Sequence, residues 1–415
     1  IHLVEEAQSN KAPSQTIVER FAQYYTPAVF MLAIGIATVP PLLLQAPFEE
    51  WFYRALVLLV ISCPCAFVIS TPVSVVSALT NAARNGLLLK GGKHLELLAR
   101  VRAVAFDKTG TLTQGKPSVT DIVNLNSLSE NDILRIAAAA ELWSEHHLAD
   151  ALLRKAAEKG ISIVNVIADE DFLSIAGKGI STTVEGKRYI VGNHQLIEEL
   201  GVCTPRVERV LSEFERQGKT VVILSDERQV LGVIAIADAI RNEGTGTVEA
   251  LHSLGVERVA LLTGDNKGTA HVVANQLGLD ERQAELLPLD KLGAIKALQE
   301  QYTTVAMVGD GVNDAPALAA ADVGIAMGGV GSDTALETAD VVLMSDNIAK
   351  VPFAIALGKK TVGVIKQNIA LALLTKLVFI TLGVFGMTSL WLAILADDGA
   401  TLVVILNGLR LLRKV

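Results

Sequence analysis

The segment VRAVAFDKTGTLT, residues Val101–Thr113, decides the fold of this 415-residue chain. Its first half is a short apolar run, which predicts a buried β-strand. Asp107 stands where that strand ends. A carboxylate can act as a nucleophile on phosphorus if a magnesium ion and a lysine neutralise the negative charge around it. Asp107 is therefore a candidate phosphoryl acceptor.

Three further segments supply the partners that such a carboxylate needs. TGD occurs at Thr263–Asp265, Lys291 follows in PLDK, and GDGVND spans Gly309–Asp314 after another apolar run. The alternative is that Asp107 only caps a turn, and it would require four ordered motifs to coincide by chance. The set favours phosphoryl chemistry.

Apolar runs of strand length alternate with helical patterns along the same part of the chain: Val101–Phe106, Val259–Leu262, Val305–Val308, Val323–Ala326 and Val341–Leu343. This alternation predicts a doubly wound parallel sheet, which binds its ligands beyond the carboxyl ends of the strands. Asp107, Thr263 and Asp310 all fall at such ends.

The four motifs in this order resemble the haloacid dehalogenase superfamily, and the wording DKTGTLT with GDGVNDAPAL resembles its P-type ATPase branch. The resemblance implies that Asp107 attacks the γ-phosphate of ATP. It also implies a Mg²⁺ ion held by Asp107, Asp310 and a backbone carbonyl near Thr109, with Asp314 ordering the magnesium shell.

The same resemblance assigns the rest of the catalytic set, which comprises Lys108, Thr109, Thr263, Gly264, Asp265 and Lys291. Thr263 and Lys291 would contact phosphoryl oxygens and spread the charge of the transition state, where most of the catalysis of phosphoryl transfer lies.

The composition predicts that part of the chain lies in a membrane. Hydrophobic residues make up 51% of the sequence, and the mean hydropathy is +0.43. The net charge of −8 gives no reason to expect nucleic acid. Three cysteines argue against a disulfide framework, and Cys203 reads as an ordinary thiol.

Four segments have the length and apolarity of spanning helices, in two pairs: Tyr25–Gln45 with Ala55–Leu79, and Val364–Met387 with Leu390–Leu412. Basic residues flank the soluble stretch between the pairs, at Arg84, Lys90, Lys93, Lys359, Lys360 and Lys366. The positive-inside tendency therefore predicts that this stretch is cytoplasmic, where ATP is.

The predicted architecture is a multidomain membrane protein. An α-helical transmembrane bundle carries a cytoplasmic α/β, Rossmann-like phosphorylation domain, and an α+β nucleotide-binding domain is inserted into that domain. The predicted bounds are a polar linker at 1–22, a helix pair at 23–85, the phosphorylation domain at 86–118 and 236–350, the nucleotide domain at 119–235 and a helix pair at 351–415.

The inserted segment contains residues whose order resembles the nucleotide domain of heavy-metal P-type ATPases: Glu141, His146, Gly177, Gly179, Gly192 and Asn193. Taken singly these are weak signals, because a lone histidine is more often structural and GxG alone only marks a turn. The resemblance implies that the histidine supports the adenine and that the glycines let backbone approach it. The sequence departs from the family at His147, where a proline is usual.

The phrase ISCPCAF places Cys63 and Cys65 on either side of Pro64. Proline breaks a helix locally and frees carbonyls, which would turn both sulfurs toward one point. Thiolates select soft or borderline cations, so this spacing suits metal binding better than cross-linking. The alternative is a proline kink with two buried cysteines.

Two charged residues in the last helices favour the metal site, because charge within a membrane is costly without a partner or function. Lys376 in ALLTKLVF and Asp397 in ILADDGA resemble the zinc, cadmium and lead subgroup of the metal pumps. Snorkelling is the alternative for Lys376. Asp398 is an extra acid without a predicted role.

The summed charge of the proposed ligands predicts which metal ion they bind. Two thiolates and Asp397 carry three negative charges, which suit Zn(II), Cd(II) or Pb(II) better than Cu(I). Lys376 would pair with Asp397 as an internal counter-ion after release. Three alternatives stay open: a Cu(I) pump, although the chain has no MxxSS near Asp397; a membrane-anchored haloacid dehalogenase-type phosphatase; and a passive metal-binding membrane protein.

The chain contains no TGE, the motif of the actuator domain that hydrolyses the aspartyl phosphate in P-type ATPases. Together with the polar opening residues, this leads us to expect the carboxy-terminal portion of a pump whose actuator and further helices lie upstream. Full turnover is not expected of this portion alone. We expect an integral protein of the plasma (inner) membrane, with ATP, a divalent metal and lipid as partners and cytoplasmic catalytic domains.

Overall fold

The structure is a computed structural model. It describes residues 13–142, 144, 147–163, 172–175, 178–310, 314–329, 337–384 and 388–413. Its strands are β1 (Leu87–Leu89), β2 (Ala103–Asp107), β3 (Ser118–Asn124), β4 (Leu173–Ile175), β5 (Gly179–Val184), β6 (Lys187–Gly192), β7 (Thr220–Ser225), β8 (Val230–Ala237), β9 (Arg258–Leu262), β10 (Glu281–Gln283), β11 (Val305–Gly309), β12 (Val323–Met327) and β13 (Val341–Leu343).

The described α-helices are α1 (Pro13–Leu44), α2 (Phe48–Ile61), α3 (Cys65–Arg84), α4 (Gly92–Leu98), α5 (Glu130–Ala140), α6 (His147–Glu158), α7 (His194–Glu199), α8 (Pro205–Arg216), α9 (Gly244–Ser253), α10 (Lys267–Leu277), α11 (Pro288–Gln301), α12 (Ala315–Ala320), α13 (Lys350–Val384) and α14 (Leu390–Leu409).

Seven strands form one sheet in the order β1-β13-β12-β11-β2-β9-β10. All pairs are parallel except the edge pair of β1 with β13. Successive residues of β2 face opposite layers of core, because side chains alternate along a strand. Phe106 packs into one layer and Ala105 into the other. Burial on both faces explains the continuous apolar runs that predict these strands.

The second sheet is antiparallel, with six strands in the order β3-β8-β7-β6-β5-β4. Its strands are drawn from Ser118–Ala237, between β2 and β9 of the first sheet. Along β8, Ile234 packs beneath α5 and α6, whereas Val233 packs against α7 and α8. The insertion thus has its own core on each face of its sheet.

Within the described residues, four helical segments are long and apolar enough to cross a membrane: Gln23–Leu44, Phe48–Arg84, Lys350–Leu382 and Leu390–Leu412. Their outer faces are apolar, and Leu42 and Trp391 are each 78% exposed. Such surfaces suit lipid better than water. Together with the two sheets, these helices give the multidomain fold class that the sequence predicts.

The span that the sequence places over Ala55–Leu79 is broken beside Pro64, as the proline predicts: α2 ends at Ile61 and α3 begins at Cys65. Residues 13–22, predicted as a polar linker, are helical and form the first part of α1. The Ser14 N–H donates to the Glu96 carboxylate at 3.3 Å, which fixes the start of α1 against α4.

Candidate functional site

The sheet register brings the sequence-predicted motifs together beyond one edge of the seven-stranded sheet. Asp107 is the last residue of β2 and lies opposite Leu262 of β9. On its other side, Phe106 lies opposite Val308 of β11. Thr263 and Asp310, which directly follow β9 and β11, therefore lie beside Asp107. This placement is the one that a parallel sheet imposes on residues following adjacent strands.

Lys291 lies on α11 and reaches two of the acids. Its Nζ donates to Asp107 Oδ1 at 2.5 Å and to Asp314 Oδ1 at 2.6 Å. The lysine is 6% exposed, so the ion pairs are shielded from water. Its proximity to both carboxylates raises the pKa of Lys291 against the opposing effect of burial. Lys291 is thus a permanent cation within reach of the candidate nucleophile.

Three carboxylates crowd this point. Ligand oxygens of Asp107, Asp310 and Asp314 all lie within 4.8 Å of one another. Burial, followed by the charge of Asp314, raises the pKa of Asp107 to about 7. The same two causes raise the pKa of Asp310 to about 6. The single positive charge of Lys291 cannot neutralise three ionised carboxylates. The remaining negative charge would be stabilised by a further bound cation.

The cluster fits Mg²⁺ in the chemistry of its donors. Magnesium prefers hard oxygen ligands and is held in phosphoryl-transfer sites by one or two carboxylates and by phosphate oxygens. Asp107 and Asp310 supply such oxygens. The Asp314 carboxylate also receives Lys291, which leaves it suited to ordering the other ligands.

The loop after Asp107 is shaped to meet Asp310. Gly110 has φ +72°, and a Cβ there would lie 1.7 Å from Asp310 Oδ2. Only glycine allows this approach, since it alone adopts positive φ readily and carries no Cβ. Thr109 is extended, at φ −73° and ψ 129°. Lys108 forms an ion pair with Asp265 of the TGD segment.

Two residues that sequence reasoning missed hold this loop. Arg241 donates from Nε to the Thr111 carbonyl at 2.9 Å and from Nη2 to the Gly110 carbonyl at 3.0 Å. Asp238 accepts from Thr113 Oγ1 at 2.5 Å. Both belong to ADAIR, residues 237–241, which begins at the last residue of β8. Its position at a strand end was the signal that could have identified them.

The TGD segment lies against the same edge. Thr263 is buried, and its Oγ1 accepts from the Asp265 N–H at 3.1 Å. Gly264 packs closely, because a Cβ there would lie 3.3 Å from the Leu286 carbonyl. A cleft of about 300 Å³ opens here between the two sheets, lined among others by Lys108, Asp265 and Lys219. The phosphoryl site therefore has an access route that the inserted domain borders.

The predicted nucleotide residues are placed only in part. Gly179 and Gly192 are paired across β5 and β6. A Cβ on Gly179 would lie 2.3 Å from the Val191 carbonyl, and one on Gly192 would lie 2.7 Å from the Lys178 carbonyl. Both glycines therefore permit close backbone packing.

Asn193 caps α7, where its side chain accepts from the Leu196 N–H. Glu141 is buried after the end of α5. His146 and Gly177 lie outside the described residues, as does the side chain of His147.

The CPC segment lies at the break between α2 and α3. The structure joins Cys63 and Cys65 by a disulfide, which corrects the expectation of two uncrosslinked thiols. The break brings both sulfurs to one point, where oxidation links them; the dithiol is the reduced form of the same pair. Ligand atoms of Cys63, Cys65 and Asp397 all lie within 4.8 Å of one another.

Lys376 of α13 and Asp397 of α14 form an ion pair at 2.5 Å, with side chains 15% and 14% exposed. The Lys376 ammonium also donates to the Ile61 carbonyl at 2.7 Å. The break after Ile61 accounts for this free carbonyl. Lys376 thus points into the helix bundle and does not snorkel. Asp398, the neighbour of Asp397, is exposed.

Comparisons with known proteins agree with this geometry. The family model for haloacid dehalogenase-like hydrolases matches residues 101–322. A probable cadmium-transporting ATPase of Alkalihalophilus pseudofirmus is 50% identical over all of this chain and 57% of its own length. A zinc/cadmium/lead-transporting P-type ATPase of Escherichia coli is 45% identical over all of this chain and 55% of its own length.

Among solved structures, a zinc-transporting PIB-type ATPase in the E2·Pi state superposes with a TM-score of 0.83. It is 44% identical, and the match covers 99% of this chain and 66% of that one. The chain spans little more than half the length of the curated relatives it matches.

A buried aspartate at a strand end, with a lysine and two further acids around it, is the arrangement that the resemblance to the haloacid dehalogenase superfamily predicts for a phosphoryl-transfer site. The chain belongs to the haloacid dehalogenase-like hydrolase family. The resemblance to metal-transporting P-type ATPases, inferred from the motifs, is confirmed by relatives of that kind that match over the whole chain.

Proposed function

We propose that this protein exports divalent soft metal ions, Zn(II), Cd(II) or Pb(II), across a membrane at the expense of ATP and through an aspartyl phosphate. The observation that carries the proposal is the presence in one chain of two ligand clusters, the first largely buried and the second partly buried. One is the acid cluster with Lys291, and the other is the cluster of Cys63, Cys65 and Asp397.

In the proposed phosphoryl step, an Asp107 carboxylate oxygen attacks the γ-phosphorus of ATP. The bond from that phosphorus to the β,γ-bridging oxygen breaks, and ADP leaves with the electron pair. A Mg²⁺ ion held by Asp107, Asp310 and the Thr109 carbonyl would neutralise phosphate charge. The Lys291 ammonium lies 2.5 Å from Asp107 Oδ1. It would stabilise the negative charge of the phosphoryl group during transfer. Thr263 would donate to a phosphoryl oxygen.

The proposed domain roles follow the two sheets. The seven-stranded sheet would be the phosphorylation domain and the inserted sheet the nucleotide domain, with Glu141, His146 and the glycines around β5 and β6 near the adenine. The cleft lined by Lys108 and Lys219 supports this division, because it joins the two sheets beside Asp107. The similarity to metal-transporting ATPases supports a membrane location, and the basic residues that flank the soluble stretch favour a cytoplasmic position for both sheets.

The membrane site would bind its cargo in the reduced form. Two thiolates and Asp397 give three negative charges, which favour a divalent ion. In the structure, the Asp397 carboxylate forms an ion pair with the Lys376 ammonium. We propose that this pair forms when metal leaves, so that Lys376 acts as an internal counter-ion and opposes rebinding from the far side.

The test is phosphorylation of the purified, reduced chain by γ-labelled ATP with Mg²⁺, comparing Zn(II), Cd(II), Pb(II) and Cu(I). We expect label that depends on a divalent soft metal. Asp107→Asn should abolish it, whereas Asp150→Asn on the surface of α6 should not. Cys63→Ala/Cys65→Ala should remove the dependence on metal.

Three outcomes would count against the proposal. Label that persists in Asp107→Asn would place the acceptor elsewhere. Stimulation by Cu(I) alone would assign a different cargo. Absence of label under every condition would refute phosphorylation by this chain.

A further inference from the structure

A second set of metal-ligating side chains lies in the inserted domain, away from the membrane site. His194 begins α7, Cys203 lies in the connection between α7 and α8, and Glu208 lies on α8. Their ligand atoms all lie within 4.8 Å of one another. The three residues are spread over 15 positions, which is why sequence reading treated Cys203 as an ordinary thiol.

The three ligand atoms converge on one point. His194 Nε2 lies 2.8 Å from Glu208 Oε1. Cys203 Sγ donates to the same Oε1 at 3.2 Å and lies 3.8 Å from His194 Nε2. Glu198, one turn further along α7, places Oε1 at 3.7 Å from the same histidine nitrogen.

These separations match those required around a tetrahedral ion. Zinc bonds of about 2.3 Å to sulfur and about 2.0 Å to nitrogen or oxygen place tetrahedral ligands about 3.3 to 3.6 Å apart. The sulfur already lies at 3.2 and 3.8 Å from its two partners. Only the His194–Glu208 pair must open slightly, and the Glu208 side chain, 45% exposed, has solvent beside it into which to move.

The donor set also selects the ion. One thiolate, one imidazole and carboxylates suit Zn(II) and Cd(II), whereas Mg²⁺ prefers oxygen ligands alone. We propose that His194, Cys203 and Glu208, with Glu198 as a fourth ligand, form a soft-metal site in the inserted domain that binds Zn(II) or Cd(II) independently of the membrane site.

The location gives the site a structural consequence. His194 directly follows Asn193, whose side chain caps α7, and Gly192, the last residue of β6. A bound ion would tie the start of α7 to α8 across their connection. It would thereby fix the β6–α7 turn, which contains two of the residues assigned to nucleotide binding.

The experiment uses the full chain carrying Cys63→Ser/Cys65→Ser. The sequence has three cysteines, so Cys203 is then the sole thiol. Cd(II) is added, and the ultraviolet charge-transfer band of the cadmium–thiolate bond is followed together with stoichiometry from equilibrium dialysis. We expect a saturable band at one equivalent, displaced by Zn(II) and unaffected by Mg²⁺.

In the same background, His194→Ala and Glu208→Gln should each weaken Cd(II) binding at least tenfold. Matched controls are His271→Ala on α10 and Glu213→Gln on α8, which should leave it unchanged. Circular dichroism confirms that each variant is folded. Absence of the band, or a band insensitive to both His194→Ala and Glu208→Gln, would overturn the site; the second result would mean that Cys203 reacts as an isolated thiol.

Discussion

At the scale of single residues, the acid cluster around Asp107 carries more negative charge than Lys291 can neutralise. Burial and the charge of Asp314 hold the pKa of Asp310 at about 6, above its ordinary 3.8. A carboxyl with a raised pKa binds a proton in the folded state that the unfolded chain has already released. Without a cation, its contribution to stability therefore falls as the pH rises from about 4 to about 6.

Asp310→Asn should relieve this penalty in metal-free protein. We expect the variant to be more stable than the wild type at neutral pH, by about 1 to 3 kcal/mol, and the gain to vanish near pH 4. Thermal unfolding in the presence of a chelator measures it. Added Mg²⁺ should reverse the order, because it stabilises only the wild type. A gain that is independent of pH would contradict the pKa assignment.

Gly110→Ala should destroy the phosphoryl site. The new Cβ would lie 1.7 Å from Asp310 Oδ2 at a positive φ, so both the loop and the acid must move. We expect phosphorylation to fall at least a hundredfold, since misplacement by about 1 Å costs on that order. Gly160→Ala, also at positive φ but with open space around it, controls for backbone strain alone. Equal losses in the two variants would refute the contact with Asp310.

At the scale of secondary-structure elements, the break between α2 and α3 positions the residues of the proposed metal site in the membrane. It brings Cys63 toward Cys65 and leaves the Ile61 carbonyl to Lys376. Pro64 cannot donate a backbone hydrogen bond, which keeps the two helices from joining. The same feature thus places the two proposed metal ligands and one hydrogen-bond partner of the proposed counter-ion lysine.

Pro64→Ala should let the helix close and should weaken metal binding at least tenfold. Cadmium–thiolate absorption of the reduced protein measures the effect, in a Cys203→Ser background that silences the third thiol. Pro72→Ala provides the control, because Pro72 lies inside α3 and away from the break. Equal affinities for Pro64→Ala and the parent protein would show that the break is not needed.

At the scale of the whole molecule, α13 connects the two sites. It runs without interruption from Lys350 beside the sheet to Lys376 and beyond. At its base Gly358 packs so closely on α4 that a Cβ would lie 2.6 Å from the Leu95 carbonyl. A rigid helix with a close contact at one end and the counter-ion lysine further along can carry displacement between the domains.

Gly358→Ala should uncouple the two sites. We expect metal stimulation of phosphorylation to fall at least tenfold, because α13 must shift from α4 to accommodate the methyl group. Any basal labelling of Asp107 measured without added metal should equal that of the wild type. Gly363→Ala on the same helix has open space around it and should behave as the wild type. Undiminished stimulation in Gly358→Ala would show that coupling follows another route.

The parts of the fold and site that depend on local order along the chain can be predicted from its amino acids. Apolar runs in the sequence predict buried strands. Residues that directly follow the strands of a parallel sheet lie at one edge of that sheet. The places of Asp107, Thr263 and Asp310 could therefore be predicted from the sequence, as could the segments that are long and apolar enough to cross a membrane. Their chemistry is carried by short motifs, in which spacing along the chain fixes spacing in space.

Features that join distant segments of the chain could not be predicted in this way, because they depend on how the folded elements pack. The contacts of Arg241 and Asp238 with the loop after Asp107 cross more than a hundred residues, and the connected Cys63 and Cys65 sulfurs depend on how the helix ends turn. The His194, Cys203 and Glu208 cluster likewise forms because α7 and α8 pack on one face of a sheet. Side-chain convergence of this kind depends on packing angles, which no short pattern in the sequence records.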